Sequence, residues 1–173
     1  VALAFKAGVF NIGVGGQYFI GGFTAALAGI YLKLPPIIHV PVVVLAGMLG
    51  GALWALIPAL MKVRRGIHEV ITTILFNNIA IALVTYFVNG PFTGIQKGAS
   101  LEPQTQRIAE TALFGKLNGL LRAIGWNVPD YVYIDYSLIV ALVMGLVVWF
   151  LLSRTRTGFE IRAVGTSVDV SRY

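Results

Sequence analysis

Cysteine is absent from the 173-residue chain, which excludes disulfides, thiolate nucleophiles and cysteine-ligated metals. Charge is scarce. Asp, Glu, Lys and Arg make up 12% of the residues, against roughly 25% in a soluble domain, so lipid rather than water surrounds much of the surface. Acids are the rarer sign: no Asp or Glu precedes Glu69, and none falls in the middle of an apolar run. Proton- and sodium-coupled carriers commonly place acids within the membrane, and their absence argues against an ion-coupled machine. The net charge of +6 reads as a topology signal in so apolar a chain rather than as a nucleic-acid footprint.

Catalytic constellations are missing too. HEVIT, residues 68–72, opens like a zinc-protease HExxH, but Thr72 stands where the second ligand belongs. The two histidines, His39 and His68, fall on opposite sides of the membrane by the topology below. No G-x-S-x-G elbow offers a serine nucleophile. The glycines of FNIGVGGQ, residues 10–17, match neither a P-loop nor a dinucleotide fingerprint. The chain is therefore expected to bind no ATP, no metal and no cofactor, and not to be an enzyme.

What the chain does have is four long apolar runs, at 17–33, 38–61, 69–89 and 136–153. About 20 helical residues cross the hydrocarbon core. The expected fold is all-α: one partial transmembrane domain, a polytopic helical bundle with a broken helix and a short cytoplasmic coupling helix. Val1 opens within an apolar run and Tyr173 closes a polar stretch, which reads as a piece of a longer polypeptide. Short basic loops stay cytoplasmic. Lys62, Arg64 and Arg65 then put the loop at 62–68 inside, and Arg154, Arg156, Arg162 and Arg172 do the same for 154–173. The loop at 90–135 mixes signs and lies outside, so the helices alternate in direction without contradiction.

Several patterns within the runs are informative. Glu69, Thr73, Asn77, Thr85 and Asn89 fall four or eight residues apart on one helical face, with Asn78 beside them. Unpaired polar groups in lipid cost several kcal/mol, on the order of a lost hydrogen bond or more, so the stripe faces protein or water. Interhelical hydrogen bonding and a pathway lining both satisfy it. Glu69 suits the positive end of its helix. Gly21, Ala25 and Gly29 in the first run, and Gly47, Gly51, Ala55 and Ala59 in the second, have the spacing of small-xxx-small packing. That packing serves either contacts within the subunit or a subunit interface. Pro58 predicts a kink, and Pro35, Pro36 and Pro41 an external turn and helix start. From Gln104 to Ile124 the apolar period predicts two short helices, which cap the bundle, rest on the membrane or dock an outside partner.

FNIGVGGQ interrupts the greasy surroundings with Gly13, Gly15 and Gly16 and the amides of Asn11 and Gln17. Non-helical backbone at membrane depth survives only when buried in protein or lining a cavity. The stretch is expected to be a buried break whose glycines free the backbone, of the kind that marks a substrate path. Phe10, Tyr18, Phe19 and Phe76 offer faces for stacking on a base, although aromatics in such helices are usually packing.

Four stretches taken together resemble one family: FNIGVGGQYFIGGFTAALAG (10–29), GALWALIPALMKVRRGIHEVITTILFNNIA (51–80), GPFTG with EPQTQRIAETALF (within 90–114) and RTRTGFEIRAVGTSVDVSRY (154–173). In order and extent they are similar to the permease subunits of bacterial ABC importers for nucleosides and simple sugars, which work with basic-membrane-lipoprotein type binding proteins. The resemblance implies a multi-pass protein of the bacterial cytoplasmic (inner) membrane. Implied partners are an ABC ATPase subunit, a second identical or paralogous permease subunit, an extracytoplasmic lipoprotein and the lipid bilayer, with no nucleic acid. It implies a substrate path lined by Phe10, Asn11, Gly13, Gly15, Gly16, Gln17, Thr73, Asn77 and Asn78. It also implies an ATPase-coupling segment carrying Gly158, Glu160, Arg162, Ala163, Val164, Gly165, Ser167 and Asp169. Thr166 or Ser167 suits a helix cap there, with Gly158 and Gly165 as turns around it. Two positions depart from the family's pattern: Gly15 stands where I-G-x-E-G-Q carries an acid, and His68 where Asn is frequent. A ribose-type sugar or branched-chain amino-acid permease is the neighbouring alternative. A non-conducting structural membrane subunit is the alternative of another class.

Overall fold

The computed structural model describes residues 2–9, 11–94, 104–126, 129, 132 and 134–166. Helices dominate, and among the described residues the only β pairing is two isolated bridges. The chain forms two compact units, one from Val9–Leu113 and the other from Ala2–Gly8 with Phe114–Tyr173.

The first unit holds α2 (Val14–Tyr31), α3 (Pro36–Arg65) and α4 (Glu69–Asn89), with a 3-10 turn at Glu110–Ala112; α1 (Ala2–Lys6) precedes it in the chain. Pro35 and Pro36 begin α3 as N-cap and first residue, and the helix continues through Pro41 and Pro58. It stops at Gly66, which takes the left-handed φ of 65° that favours glycine. The small residues of α2 and α3 face each other within the subunit. A Cβ added at Gly21 would lie 2.8 Å from the Gly47 carbonyl oxygen, and one at Gly47 would lie 3.3 Å from Ala25 Cβ. Thr24, one turn on, donates across the same seam to the Ala46 carbonyl at 3.1 Å.

The far end of α2 and α3 is closed by the segment that returns after α4. The Ala109 amide donates to the Gly29 carbonyl at 3.0 Å, and Ile108 packs where a Gly29 side chain would stand. His39 of α3 is fully buried there. Its Nδ1 is 2.8 Å from Thr111 Oγ1 and its Nε2 3.4 Å from the Ala28 carbonyl. This histidine ties two helices to the returning segment. The predicted pair of short helices is reduced to the 3-10 turn at Glu110–Ala112 and to α5 (Asn118–Ala123), with extended chain around them. Gly115 interrupts the apolar period between the two, and Gly119 lies within α5 itself.

The second unit holds α1, α5, α6 (Ser137–Arg154) and α7 (Arg156–Thr166). The Leu117 amide donates to the Ile134 carbonyl at 2.8 Å, and the Tyr136 amide to that of Gly115 at 3.1 Å, so a short bridge sets the entry to α6. No residue of α6 is buried, and the successive residues Leu142, Val143 and Met144, about 100° apart around the axis, are all exposed, as in a helix surrounded by lipid. Among the described residues three helices are long and apolar enough to cross a membrane: α3, α4 and α6. The glycine-rich α2, which contains most of the first apolar run, is not among them.

Candidate functional site

The first turn of a helix leaves backbone N–H groups without partners. At α2 the N-cap residue is Gly13, which has no side chain to serve them. Two amides do so instead. Asn11 Oδ1 accepts from the Gly13 N–H at 2.8 Å, closing a local turn. Asn77, from the middle of α4, reaches across. Its Oδ1 accepts from the Gly16 N–H at 2.7 Å, and its Nδ2 donates to the Ile12 carbonyl at 3.0 Å. One carboxamide thus holds both sides of the point where helix gives way to extended chain.

The glycines permit this approach. Only Gly8, Gly66 and Gly125 have positive φ among the described residues, so the expectation that Gly13, Gly15 and Gly16 free the backbone is corrected. Gly15 and Gly16 are already helical. What they supply is proximity: a Cβ at Gly16 would stand 2.9 Å from Trp54 Nε1, 3.0 Å from Asn77 Oδ1 and 3.1 Å from the Phe76 carbonyl. Gly13 likewise lies against Thr73, whose Cγ2 would be 3.3 Å from an added Cβ.

Asn11, Gly13, Gly15, Gly16, Thr73 and Asn77 are therefore brought together, and Gln17, in the first turn of α2, has its backbone against Gly51. Asn78 is not part of the cluster. It is exposed, and its Nδ2 donates to the Ile74 carbonyl of its own helix at 3.1 Å. Asn89 behaves the same way toward Thr85, at 2.9 Å. The polar stripe on α4 thus divides: Asn77 bonds across helices, while Asn78 and Asn89 satisfy themselves. Phe10, Ser167 and Asp169 lie outside the described residues.

The sequence reading missed Trp54. Its indole Nε1 is buried and is the one such side-chain nitrogen or oxygen without a hydrogen-bond partner among the described residues. Its ring meets Phe76 edge-on at 5.6 Å. Phe76 is thus a packing partner of Trp54, whereas Tyr18 is 76% exposed. A tryptophan carries a polar handle that seeks an acceptor when buried, and that was the available signal. The cluster contains amides, hydroxyls, backbone groups and an indole N–H, but no charged side chain.

At the other candidate region α7 is a helix, and its cap differs from the expectation. Thr155, not Thr166, accepts the Gly158 N–H at 3.1 Å. Thr166 is the last helical residue, and its hydroxyl donates back to Arg162. Gly158 and Gly165 make no turns; both are helical. Gly158 is buried against the backbone of Leu151 and Leu152, and Gly165, though exposed, lies close to the backbone of Lys6 and Gly8, so glycine serves close approach here too. Glu160, Arg162 and Val164 are exposed, as is Phe159, and Ala163 is half-buried. Ser153, Arg154, Phe159, Glu160 and Arg162 border an open groove of about 610 Å³.

A family model described as "Branched-chain amino acid transport system / permease component" matches residues 1–173. Three relatives match nearly the whole chain. A guanosine ABC transporter permease of Bacillus subtilis is 35% identical over 100% of this chain and 46% of its own length. A glucose ABC transporter permease of Haloferax volcanii is 32% identical over 99% of this chain and 44% of its own. A nucleoside ABC transporter permease of Lactococcus lactis is 31% identical over 99% and 46%. The chain spans about half the length of the curated relatives it matches. No solved structure matches.

Proposed function

Since the chain belongs to the family described as the branched-chain amino acid transport system permease component, we propose that it is part of the permease subunit of an ATP-binding-cassette importer for a nucleoside in the cytoplasmic membrane. The observation that carries this reading is the whole-chain match to the guanosine and nucleoside permeases of two genera. The geometry supports it. A cluster of amides and backbone groups with no charged side chain suits an uncharged, hydroxyl-bearing solute. An amino acid brings an ammonium and a carboxylate, and nothing in the cluster pairs with the ammonium. A simple sugar is the second reading, favoured by the relative from Haloferax volcanii.

In this proposal Asn11, Gly13, Gly15, Gly16, Gln17, Thr73 and Asn77 border the solute path, with Phe10 and Asn78 as flanking members. ATP hydrolysis belongs to a separate subunit. That subunit docks on α7 through Arg162, Glu160 and Val164, with Gly158, Ala163 and Gly165 shaping the helix and Ser167 and Asp169 continuing the surface. A lipoprotein delivers solute from outside, and a second permease subunit completes the path. Competition of radiolabelled uptake by the full transporter tests the substrate class. Uridine is expected to compete, ribose less so and leucine not at all; competition by leucine alone would reassign the protein to amino acids.

A further inference from the structure

The basic end of α3 carries an open groove apart from the amide cluster at the start of α2. Ile57, Leu60, Met61, Arg64, Arg65 and Ile67 line an open trough of about 410 Å³. Ile57, Leu60 or Met61, and Arg64 recur three, four and seven residues apart, so they stack along one helix face. Ile57 and Leu60 are 39% and 40% exposed, which leaves the apolar floor open to the surroundings. Gly66 ends the helix with its N–H on the Lys62 carbonyl at 2.9 Å, and Ile67 then walls the trough beside the arginines. Of the three basic residues in this turn, Lys62 is engaged: its Nζ lies 2.6 Å from Glu69 Oε1. Among the described residues Arg64 and Arg65 have no ion-pair partner.

We propose that this trough binds an anionic phospholipid. The phosphate sits at the guanidinium groups of Arg64 and Arg65, and the upper part of an acyl chain lies on Ile57, Leu60 and Met61. Guanidinium forks match phosphate oxygens bidentately. Basic residues at the end of a membrane helix meet the anionic headgroups of the cytoplasmic leaflet. The apolar floor lies on a helix long enough to span the membrane, where an acyl chain is already present. An acidic protein segment would satisfy the arginines but has no use for a trough running along the spanning helix. Positive charge also complements the C-terminal end of a helix, but lysine would do that equally well. The proposal rests on the inferred orientation only in placing the trough in the cytoplasmic leaflet.

The test is native mass spectrometry of the full transporter complex in mild detergent, titrated with phosphatidylglycerol or with phosphatidylcholine of the same acyl chains. Wild type is expected to retain phosphatidylglycerol roughly ten- to thirtyfold better, as two basic contacts predict. R64Q/R65Q lowers this to the phosphatidylcholine level. I67W, which fills the trough but keeps both arginines, lowers it several-fold. Equal retention of both lipids by wild type, or a preference that survives R64Q/R65Q, overturns the proposal. So does R64Q/R65Q shedding the ATPase subunit while keeping its phosphatidylglycerol, because the arginines then serve a protein contact. If R64Q/R65Q fails to insert, I67W, which keeps both arginines, decides: a reduced preference supports the site, and an undiminished one refutes it. The readout involves no solute, so its failure leaves the transport reading standing, and the converse holds.

Discussion

At Asn77 a single carboxamide replaces the cap that Gly13 cannot supply, and it does so from another helix. Asn77→Leu leaves the Gly16 N–H and the Ile12 carbonyl unpartnered in a half-buried place. A buried polar group left without its partner costs about 1–3 kcal/mol, so thermal unfolding in detergent is expected to shift downward by that amount. Asn77→Asp keeps the acceptor for Gly16 but loses the donor to Ile12, and falls between. The glycines give a sharper pair. Gly16→Ala forces a methyl group among Trp54, Asn77 and the Phe76 carbonyl, and overpacking costs typically about 1–3 kcal/mol. Gly22→Ala meets nothing within 4 Å in the same helix and is expected to be neutral or to stabilise by up to about 1 kcal/mol, the propensity difference. A melting comparison of the two variants checks this. Asn77 was legible from its place in a period-four stripe. The separate fate of Asn78 was not, because one helical step of about 100° decides whether an amide meets a neighbour or its own carbonyl. Trp54 escaped notice because nothing in GALWALIPAL distinguishes a packing tryptophan from one whose N–H ends beside a helix start.

Among the elements, long apolar runs announce α3, α4 and α6 directly, since length and hydropathy are local properties. Glycine patterns announced close approach but not its partners. Gly21 and Gly47 meet across α2 and α3, whereas Gly29 meets Ile108, which lies far along the chain. The role of His39 depends on that same distant return and had no local signature. In α7 the Thr155 cap was overlooked because it ends one helix and begins the next within a single residue. The exposed face of α7 carries its own prediction. Arg162→Glu reverses a charge at the proposed ATPase contact and is expected to lower co-purification of the ATPase by about tenfold, as loss of an interfacial charge pair does. Retention of the ATPase at the wild-type level would remove α7 from that role. Glu160→Gln serves as the comparison, because it leaves Arg162 in place.

As a whole the chain is a multi-pass membrane protein of the permease family. Composition alone indicated the membrane, and the uniformly greasy α6 agrees with it. The central claim is that the amide-held start of α2 borders a hydrated path. Because the chain has no cysteine, single cysteines report without background from it. Asn11→Cys and Gln17→Cys leave the Asn77 bonds to backbone intact, and Leu142→Cys and Leu146→Cys on α6 serve as lipid controls. Labelling the assembled transporter with a membrane-impermeant thiol reagent should modify positions 11 and 17, be slowed by nucleoside, and spare both α6 positions. If positions 11 and 17 are as unreactive as those on α6, the start of α2 faces no water and the account is contradicted.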